Sequence, residues 1–363
     1  MNSTENSTTS DDWMSQELRI ANIVFDVLIL TVSELGNFLV IFTIIHEKKL
    51  QTTCNFLLLH LAISDISLIV VNIPFDIHTL VNGSRWRFGG FMCKILYPIS
   101  TVFYISSALI LTVISLDRYR VFVQTFKAKL RRAQARKLIL LIYVFSVASV
   151  IPYVLSLKLE REVCFENWPK FLYRQLYTIF LFTIQYAIPL VIMIAVYTSI
   201  ARHLTRKTQR VSLSNRGPRE RISLYSGART KTRCEREREL RNNKALKTIV
   251  TVVIIFCIFM LPYQVLWIIA DFQRGMSEEK LSQLSKLFVI FSYIGSCTVN
   301  PFIYGVGDRQ FRKGYRSFLN HLVARATSRK VNRKLSGISD NSGRCFSTDD
   351  AKLTASTEDE SRV

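Results

Sequence analysis

The sequence predicts an all-α membrane protein, a seven-transmembrane helix bundle followed by a short amphipathic helix. Hydrophobic residues make up 49% of the 363 residues, although the chain carries a formal net charge of +21. The apolar residues form long continuous runs, and most charges lie between these runs. A run of about 18 or more apolar residues can cross the hydrocarbon core of a bilayer as a helix. A transmembrane barrel would instead require shorter strands of alternating polarity.

Seven such runs occupy most of the chain, and each predicts one membrane span. They lie near residues 20–45, 54–82, 94–116, 138–157, 172–201, 245–270 and 284–304. The predicted divisions are an N-terminal segment 1–19, a membrane domain 20–304, an amphipathic helix 305–322 and a disordered tail 323–363. Residues 204–240 within the membrane domain are basic and poor in apolar side chains, which predicts a flexible loop.

The distribution of positive charge predicts the orientation in the membrane. Of the 48 lysines and arginines, 37 fall on one side of the predicted spans. Because the positively charged side is cytoplasmic, we expect a multi-pass plasma-membrane protein with its N-terminus outside and its C-terminus inside. Asn2 and Asn6 begin glycosylation sequons on the predicted external side. A basic chain can also bind nucleic acid, but confinement of the charge to short loops argues against that function.

Two of the seven cysteines, Cys93 and Cys164, lie on the predicted external face, where disulfides can form. A bond between them would tie the start of the third span to the loop before the fifth. The third span ends at the other face with Asp117-Arg118-Tyr119. An arginine at the edge of lipid is costly unless it is paired, and Asp117 can pair it.

Asp117-Arg118-Tyr119 resembles the cytoplasmic end of helix three in rhodopsin-like (class A) G-protein-coupled receptors. Further motifs match this family in order and spacing across roughly residues 20–322. They are Gly36-Asn37, Leu61-Ala62-Ile63-Ser64-Asp65, Trp86-Arg87-Phe88-Gly89, Pro152, Pro189 with Tyr197, Phe256 with Pro262, and Asn300-Pro301-Phe302-Ile303-Tyr304. The resemblance implies a receptor rather than an enzyme, which activates a heterotrimeric G protein when a ligand changes its helix packing.

The resemblance also implies roles in activation, in which Arg118 swings from Asp117 toward Tyr197 and the G protein. The residues expected to act in coupling and activation are Asp117, Arg118, Tyr119, Tyr197, Phe256, Met260, Pro262, Pro301 and Tyr304. Met260 stands two residues before the span-six proline, where the family usually has tryptophan. Because a flexible thioether replaces a stiff ring, we expect raised basal signalling.

Asp65 is an ionisable residue in the middle of a span, and such residues are usually functional. Its expected polar neighbours are Asn37, Ser107, Ser296 and Asn300. Carboxylate, hydroxyl and amide oxygens suit a sodium ion or a water cluster, and the resemblance favours the ion. The alternative is a structural polar cluster that holds no ion. We expect no other cofactor.

Two residues argue against particular ligand classes. Ser100 stands where amine receptors have an aspartate, and Ile294 stands where light-sensing relatives have the lysine that binds retinal. Residues 164–169 instead resemble the second external loop of receptors for neuropeptide Y, neuropeptide FF and related RFamide-like peptides. The resemblance implies a peptide ligand, amidated and ending in arginine and an aromatic residue.

The candidate ligand-binding residues combine aromatic and acidic side chains. Tyr263, Trp267 and Asp271 recur at i, i+4 and i+8 and share one helix face, with two aromatics below an acid expected to be exposed. Asp76, Glu166 and Asp271 would form an acidic ring at the mouth that attracts a cationic peptide end. The full candidate set is Asp76, Ser100, Thr101, Tyr104, Glu166, Tyr263, Gln264, Trp267, Asp271 and Ile290.

Other interpretations remain open. The acids could be solvated surface and the aromatic stripe ordinary packing, as in a receptor for a lipid or another small molecule. A transporter or channel is a more remote alternative, which predicts inverted repeats or a chain of charges through the bundle.

The C-terminal region predicts further partners. Basic residues on one face of the amphipathic helix favour anionic membrane lipids. Phosphorylation of hydroxyl residues near acids in the tail, such as Ser347 and Ser356, by receptor kinases would attract arrestin. The terminal Ser361-Arg362-Val363 matches the short carboxylate signal of PDZ-domain ligands.

Overall fold

The computed structural model describes residues 16–82, 86–124, 130–214, 233–272, 278–320 and 324, without the side chains of residues 207–242, 245 and 278–283. Within this part of the chain, seven helices are long and apolar enough to cross a membrane. These first to seventh spans are Gln16–His46, Thr53–Val81, Gly89–Phe122, Arg132–Ser156, Phe171–Arg206, Leu246–Phe272 and Leu284–Gly307. Their number and order confirm the predicted fold class.

Some predicted features lie outside the described residues. These are the sequons at Asn2 and Asn6, the centre of the loop 204–240 and the tail from residue 325 onward.

Several spans extend beyond the apolar runs from which they were predicted. The third span begins at Gly89 and ends at Phe122, whereas its apolar run covers only residues 94–116. A helix is held by backbone hydrogen bonds from N–H(i) to C=O(i−4), so it can continue past charged side chains at the edge of the membrane. Hydropathy therefore identifies the spans but places several of their ends too far inward.

Prolines interrupt three of the spans. The fourth span divides into helices Arg132–Ser149 and Ile151–Ser156, the fifth into Phe171–Phe182 and Ile188–Ser214, and the seventh into Glu278–Tyr293 and Asn300–Gly307. Wide π-helical turns at Thr183–Ala187 and Ile294–Thr298 join the halves of the fifth and seventh spans. Pro189 and Pro301 follow these turns because proline donates no N–H and crowds the preceding turn. Pro262, by contrast, lies within the continuous helix Arg233–Phe272.

A hairpin packs against the beginning of the third span. Strands β1 (Leu157–Glu160) and β2 (Val163–Glu166) pair antiparallel, with Leu159 opposite Cys164. Arg161 and Glu162 at the turn both have positive φ, as a two-residue hairpin of matching twist requires. Cys164 forms a disulfide with Cys93, with the two Cα atoms 5.7 Å apart. The predicted disulfide is therefore confirmed, and it holds the hairpin over the end of the third span.

The core of the bundle is apolar, and so is much of its outer surface. Buried side chains from all seven spans form one large cluster, which includes Ile69, Ile110 and Met260. Large apolar side chains such as Leu140 and Val306 are exposed on the spans. In a bilayer these side chains face lipid, so their exposure carries no penalty.

A further helix over residues 309–320 follows the seventh span. It starts after Asp308, whose backbone is extended and whose side chain accepts a hydrogen bond from the N–H of Gln310 at 2.7 Å. The seventh span therefore ends at Gly307, three residues beyond Tyr304, the end predicted from the sequence. Phe311 is buried and Arg312 is exposed, as an amphipathic helix requires. Tyr315 donates a hydrogen bond to the carbonyl of Pro301 at 3.0 Å, and burial raises the pKa of this phenol.

Candidate functional site

A narrow crevice of about 90 Å³ lies at the hairpin end of the bundle. The third to sixth spans and the hairpin contribute its walls. Seven of the ten candidate ligand-binding residues line it: Thr101, Tyr104, Glu166, Tyr263, Gln264, Trp267 and Asp271. Side chains from separate parts of the sequence thus meet in one cavity.

Aromatic rings form one wall of this crevice. The rings of Tyr104 and Tyr263 stack with their centroids 5.7 Å apart, and Trp267 meets Tyr263 edge-on at 6.1 Å. The hydroxyl of Tyr104 hydrogen-bonds Ser292 at 2.9 Å, which fixes the lowest ring of the stack. The spacing i, i+4 aligns Tyr263 with Trp267 on one face of the sixth span, as predicted from the sequence. Together the three rings form an aromatic wall against which an aromatic side chain could pack.

Asp271 also lines the crevice, and its environment differs from the expectation of an exposed acid. Asp271 is only 3% exposed, because the fifth span covers it. Nε of Arg174 lies 2.8 Å from its Oδ1, and the hydroxyl of Thr178 donates to its Oδ2. The side-chain amide of Gln175 also donates to the carbonyl of Asp271 at 3.1 Å. The prediction of an exposed acid at this position was therefore wrong.

Glu166 is the second acid beside Arg174. Its Oε2 lies 3.7 Å from Nε of Arg174 and accepts a hydrogen bond from the indole N–H of Trp168 at 2.8 Å. Glu166 remains about one-quarter exposed, in contrast to Asp271. One guanidinium therefore stands between two carboxylates, one open to solvent and the other covered.

The remaining candidate ligand-binding residues do not line the crevice. Asp76 accepts a hydrogen bond from the hydroxyl of Tyr293 at 3.3 Å, and it lies within electrostatic range of Asp26 and Lys286. The expected ring of three acids is thus divided into two groups, because the inward face of the second span turns Asp76 toward the first and seventh spans.

Ser100 and Ile290 serve the packing of the bundle instead. The Ser100 hydroxyl contacts Asn72 Oδ1 at 2.7 Å and the carbonyl of Leu96 at 2.8 Å. Ile290 belongs to the main apolar core.

The fifth span contributes residues to the crevice that were not predicted from the sequence. Arg174, Tyr177, Thr178 and Gln185 line the crevice, and Gln185 accepts a hydrogen bond from Gln264 at 3.3 Å on the facing helix. Their spacing of i, i+3, i+4 and i+11 places them on one helix face, a pattern that could have identified them.

A second polar group surrounds Asp65 in the middle of the bundle. Its carboxylate accepts hydrogen bonds from Ser107 at 3.2 Å and from Asn300 at 3.0 Å. Asn37 donates instead to the carbonyl of Cys297 at 3.0 Å, and Ser296 donates to the carbonyl of Ser292 at 2.5 Å. Of the expected neighbours, Ser107 and Asn300 therefore contact Asp65 directly.

Some oxygen atoms in this group have no donor. The Oδ1 atoms of Asn37 and Asn300 are buried and have no hydrogen-bond partner among the described residues. Unpaired buried acceptors are costly, and water or a cation could satisfy them. The oxygens present therefore fit a sodium ion as well as they fit water.

Arg118 and Asp117 lie at the other end of the third span, beside a cavity of about 570 Å³. Nη2 of Arg118 contacts Oδ2 of Asp117 at 2.5 Å, and both side chains are largely buried. Tyr197 hydrogen-bonds Ser115 at 2.9 Å, one turn above Arg118. Tyr304 lines the same cavity, with its ring 5.6 Å from Phe311. The predicted ion pair is present, and it faces a space that a partner could enter.

The remaining residues expected in activation pack inside the bundle. Met260 is 1% exposed and Phe256 4%, and both belong to the main apolar core. Tyr119 packs against a smaller cluster formed by the fifth and sixth spans. Met260 thus lies in the interior of the bundle.

Comparison with known proteins identifies the family. Residues 36–304 match the model of the 7 transmembrane receptor (rhodopsin family). The chain is 28% identical over 332 residues to a "QRFP-like peptide receptor" of Branchiostoma floridae, covering 88% of this chain and 82% of the relative. It is 27% identical to "Neuropeptide FF receptor 2" of Mus musculus, covering 80% and 70%, and 27% identical to "Galanin receptor type 1" of Rattus norvegicus, covering 82% and 81%. A receptor family agrees with the expectation that the chain is not an enzyme. The protein is a multi-pass membrane receptor and belongs to the rhodopsin family of seven-transmembrane receptors.

Proposed function

We propose that this protein is a plasma-membrane receptor for an extracellular peptide whose C-terminal end is amidated and carries an arginine beside an aromatic residue. The observation that carries the proposal is the position of the Arg174 guanidinium, between Glu166 and Asp271 and beside a wall of three aromatic rings. The site therefore has the charge and shape to take an arginine with a neighbouring ring. Relatives named as receptors for QRFP-like peptides and for neuropeptide FF support a peptide ligand.

The size of the crevice supports the binding of one end of a peptide. A space of about 90 Å³ is too small for a whole peptide, since drug-sized ligands occupy cavities of roughly 300–1,000 Å³. One or two side chains of the peptide end would enter between the fifth and sixth spans, while the rest of the peptide contacts the hairpin. The amide cap leaves the peptide end uncharged, so the arginine is its principal cation.

Signalling would occur through the cavity at the opposite end of the bundle. Arg118 lines this cavity and is held by Asp117, so a ligand that favours its release would change the surface offered to a heterotrimeric G protein. The concentration of positive charge in the loops on this side supports its assignment as cytoplasmic, with the N-terminus outside.

We also propose sodium at Asp65 as an allosteric ion. Asp65 would supply the negative charge, with Ser107 and the unpaired Oδ1 atoms of Asn37 and Asn300 as further oxygen ligands. A bound cation would hold the second, third and seventh spans together in the arrangement of the ligand-free receptor.

Regulation by kinases, arrestin, a PDZ protein and anionic lipids remains part of the proposal. The composition of the tail and the basic face of the helix 309–320 support these partners.

The proposal is tested by screening amidated peptides on cells that express the receptor with a promiscuous G protein. We expect activation by peptides ending in arginine and phenylalanine amide, with a large loss when glutamine replaces the arginine. Glu166→Gln and Asp271→Asn should reduce that response in receptors of equal surface abundance, since each removes a carboxylate from the site.

Full potency after both substitutions would favour the alternative of a lipid or small-molecule receptor. Ion flux without G-protein activation would favour a channel or transporter.

A further inference from the structure

Arg174 occupies the place in the crevice that the proposed function assigns to the arginine of the ligand. It comes from the outer end of the fifth span and reaches Asp271 on the sixth span and Glu166 on β2. Its side chain is 34% exposed, whereas that of Asp271 is 2% exposed. A partly exposed arginine side chain therefore covers a buried acid.

The contact between Arg174 and Asp271 is close but poorly aligned. Nε lies 2.8 Å from Oδ1, yet Oδ1 accepts no hydrogen bond from any described residue. The N–H therefore does not point at the oxygen, and the pair depends on charge attraction more than on a directed hydrogen bond. Aligned two-pronged contacts between a guanidinium and a carboxylate are stronger. A second guanidinium with better alignment could replace Arg174 at Asp271.

Arg174 has an alternative position close by. Glu166 lies 3.7 Å from the same Nε and is partly solvent-exposed. An Arg174 side chain displaced from Asp271 would turn toward Glu166 and water, and both acids would keep a cationic partner. Such an exchange leaves no charge buried alone, which would otherwise be the main cost.

We propose that Arg174 is a specificity-determining residue that competes with the cationic group of the ligand for Asp271. This inference rests on the proposed function, because it assumes that a peptide arginine enters the crevice. A cationic peptide gains its contact with Asp271 only by breaking the Arg174 contact, so its affinity is lowered by that cost. A neutral peptide leaves Arg174 in place and bears no such cost. Arg174 thereby limits how strongly the receptor favours cationic peptides over neutral ones.

The test compares two synthetic peptides that end in Arg-Phe-amide and Gln-Phe-amide and are otherwise identical. Their binding is measured on the full-length receptor and on Arg174→Gln. We expect Arg174→Gln to raise the affinity for the arginine peptide by about threefold to tenfold, the range for loss of a partly exposed ion pair. The affinity for the glutamine peptide should stay the same.

Lys170→Gln is the matched control. Lys170 is exposed and directly precedes the helix that carries Arg174, so its substitution removes one positive charge nearby without removing the pair. It should leave the ratio of the two affinities unchanged. The inference would be overturned if Arg174→Gln raised the affinity for both peptides equally or left the ratio of the two affinities unchanged. A lower affinity of Arg174→Gln for the arginine peptide would also overturn it, because that result would show that Arg174 itself binds the ligand.

Thermal unfolding without peptide tests the pair independently. A double-mutant cycle of Arg174→Gln and Asp271→Asn should give a non-zero coupling, and purely additive effects would contradict the pair. If Arg174→Gln does not reach the cell surface, Arg174→Lys keeps the charge and loses the planar fork, so it should give a smaller gain of the same sign.

Failure of the proposed function gives a different result. In that case, the unmodified receptor would show no preference for the arginine peptide, although the coupling between Arg174 and Asp271 persists.

Discussion

Gly307, at the end of the seventh span, lies directly against the side chain of Thr248 in the sixth span. A Cβ atom added to Gly307 would overlap Thr248 Oγ1 and would lie 3.1 Å from its Cβ. Both residues are next to the cavity beside Arg118, since Thr248 lines it and Gly307 directly precedes Asp308, which also lines it. The ends of the two spans therefore pack closely because one position lacks a side chain.

This contact predicts the effect of Gly307→Ala on basal signalling. Overpacking by the added methyl group costs about 1–3 kcal/mol. If outward movement of the sixth span relieves about 1 kcal/mol of this cost, the population of receptors with the sixth span moved outward rises about fivefold. We therefore expect a severalfold rise in ligand-independent G-protein activation at equal surface expression. Adding Thr248→Ala should reverse much of the rise, because it removes the overlapping atoms. Gly90→Ala, where nothing lies within 4 Å of an added Cβ, is the control and should behave as the unmodified receptor.

The pair of Asp117 and Arg118 predicts a second route to basal signalling. Asp117→Asn removes the only carboxylate that contacts Arg118 among the described residues, while preserving the shape of the side chain. We expect an increase of about threefold to tenfold in nucleotide exchange on the G protein without ligand. Glu47→Gln removes a charge from the same side of the membrane, outside the cavity, and should have little effect. A silent Asp117→Asn variant of normal abundance would show that this pair does not restrain the receptor.

The oxygen cluster at Asp65 predicts sodium dependence. Replacing choline with sodium in the buffer should weaken agonist binding to the unmodified receptor, because a sodium ion bound at Asp65 would stabilise the ligand-free arrangement. Asp65→Asn removes the charge that a cation needs and should abolish the difference between the two salts. Asp26→Asn, another buried acid in the first span, should retain it. Equal binding in both salts by the unmodified receptor would contradict the ion site and favour water.

The disulfide between Cys93 and Cys164 predicts equal effects of single and double substitution. The bond closes a segment of 71 residues, for which chain entropy gives a stabilisation of about 4 kcal/mol. Cys93→Ser, Cys164→Ser and the double variant should each lower the surface abundance and thermal stability to the same extent. Cys54→Ser, at a free cysteine of the second span, should leave both quantities nearly unchanged. Additive losses in the double variant would show that the two cysteines act separately.

Features that depend on local pattern were predictable from the sequence. Continuous apolar runs gave the seven spans, and the i, i+4 spacing placed Tyr263 and Trp267 on one face. The location of the cysteines indicated the disulfide. Each of these features follows from hydropathy or from helix and strand periodicity, which act over a few residues.

The composition of the crevice was only partly predictable. Arg174 looked like an ordinary end charge of the fifth span, and nothing near it in the sequence indicated Asp271, 97 positions away. Asp76 and Asp271 looked equivalent as external acids, yet one contacts Tyr293 and the other is covered by the fifth span. The rotation of each helix about its axis separates these cases, and helix packing sets that rotation.

The sequence by itself determined a membrane-spanning bundle, the order of its spans and the charged pair Asp117 and Arg118 at the end of the third span. These features were predictable because the cost of placing polar groups in lipid constrains every run of residues directly. Only the tertiary structure decided that Arg174 neutralises Asp271, that Asp76 belongs to a different group and that Gly307 meets Thr248. These relationships join residues on different helices, and their distances depend on tilt, rotation and the π-helical turns at Thr183–Ala187 and Ile294–Thr298. Packing of the whole bundle fixes those variables, so no single stretch of sequence contains them.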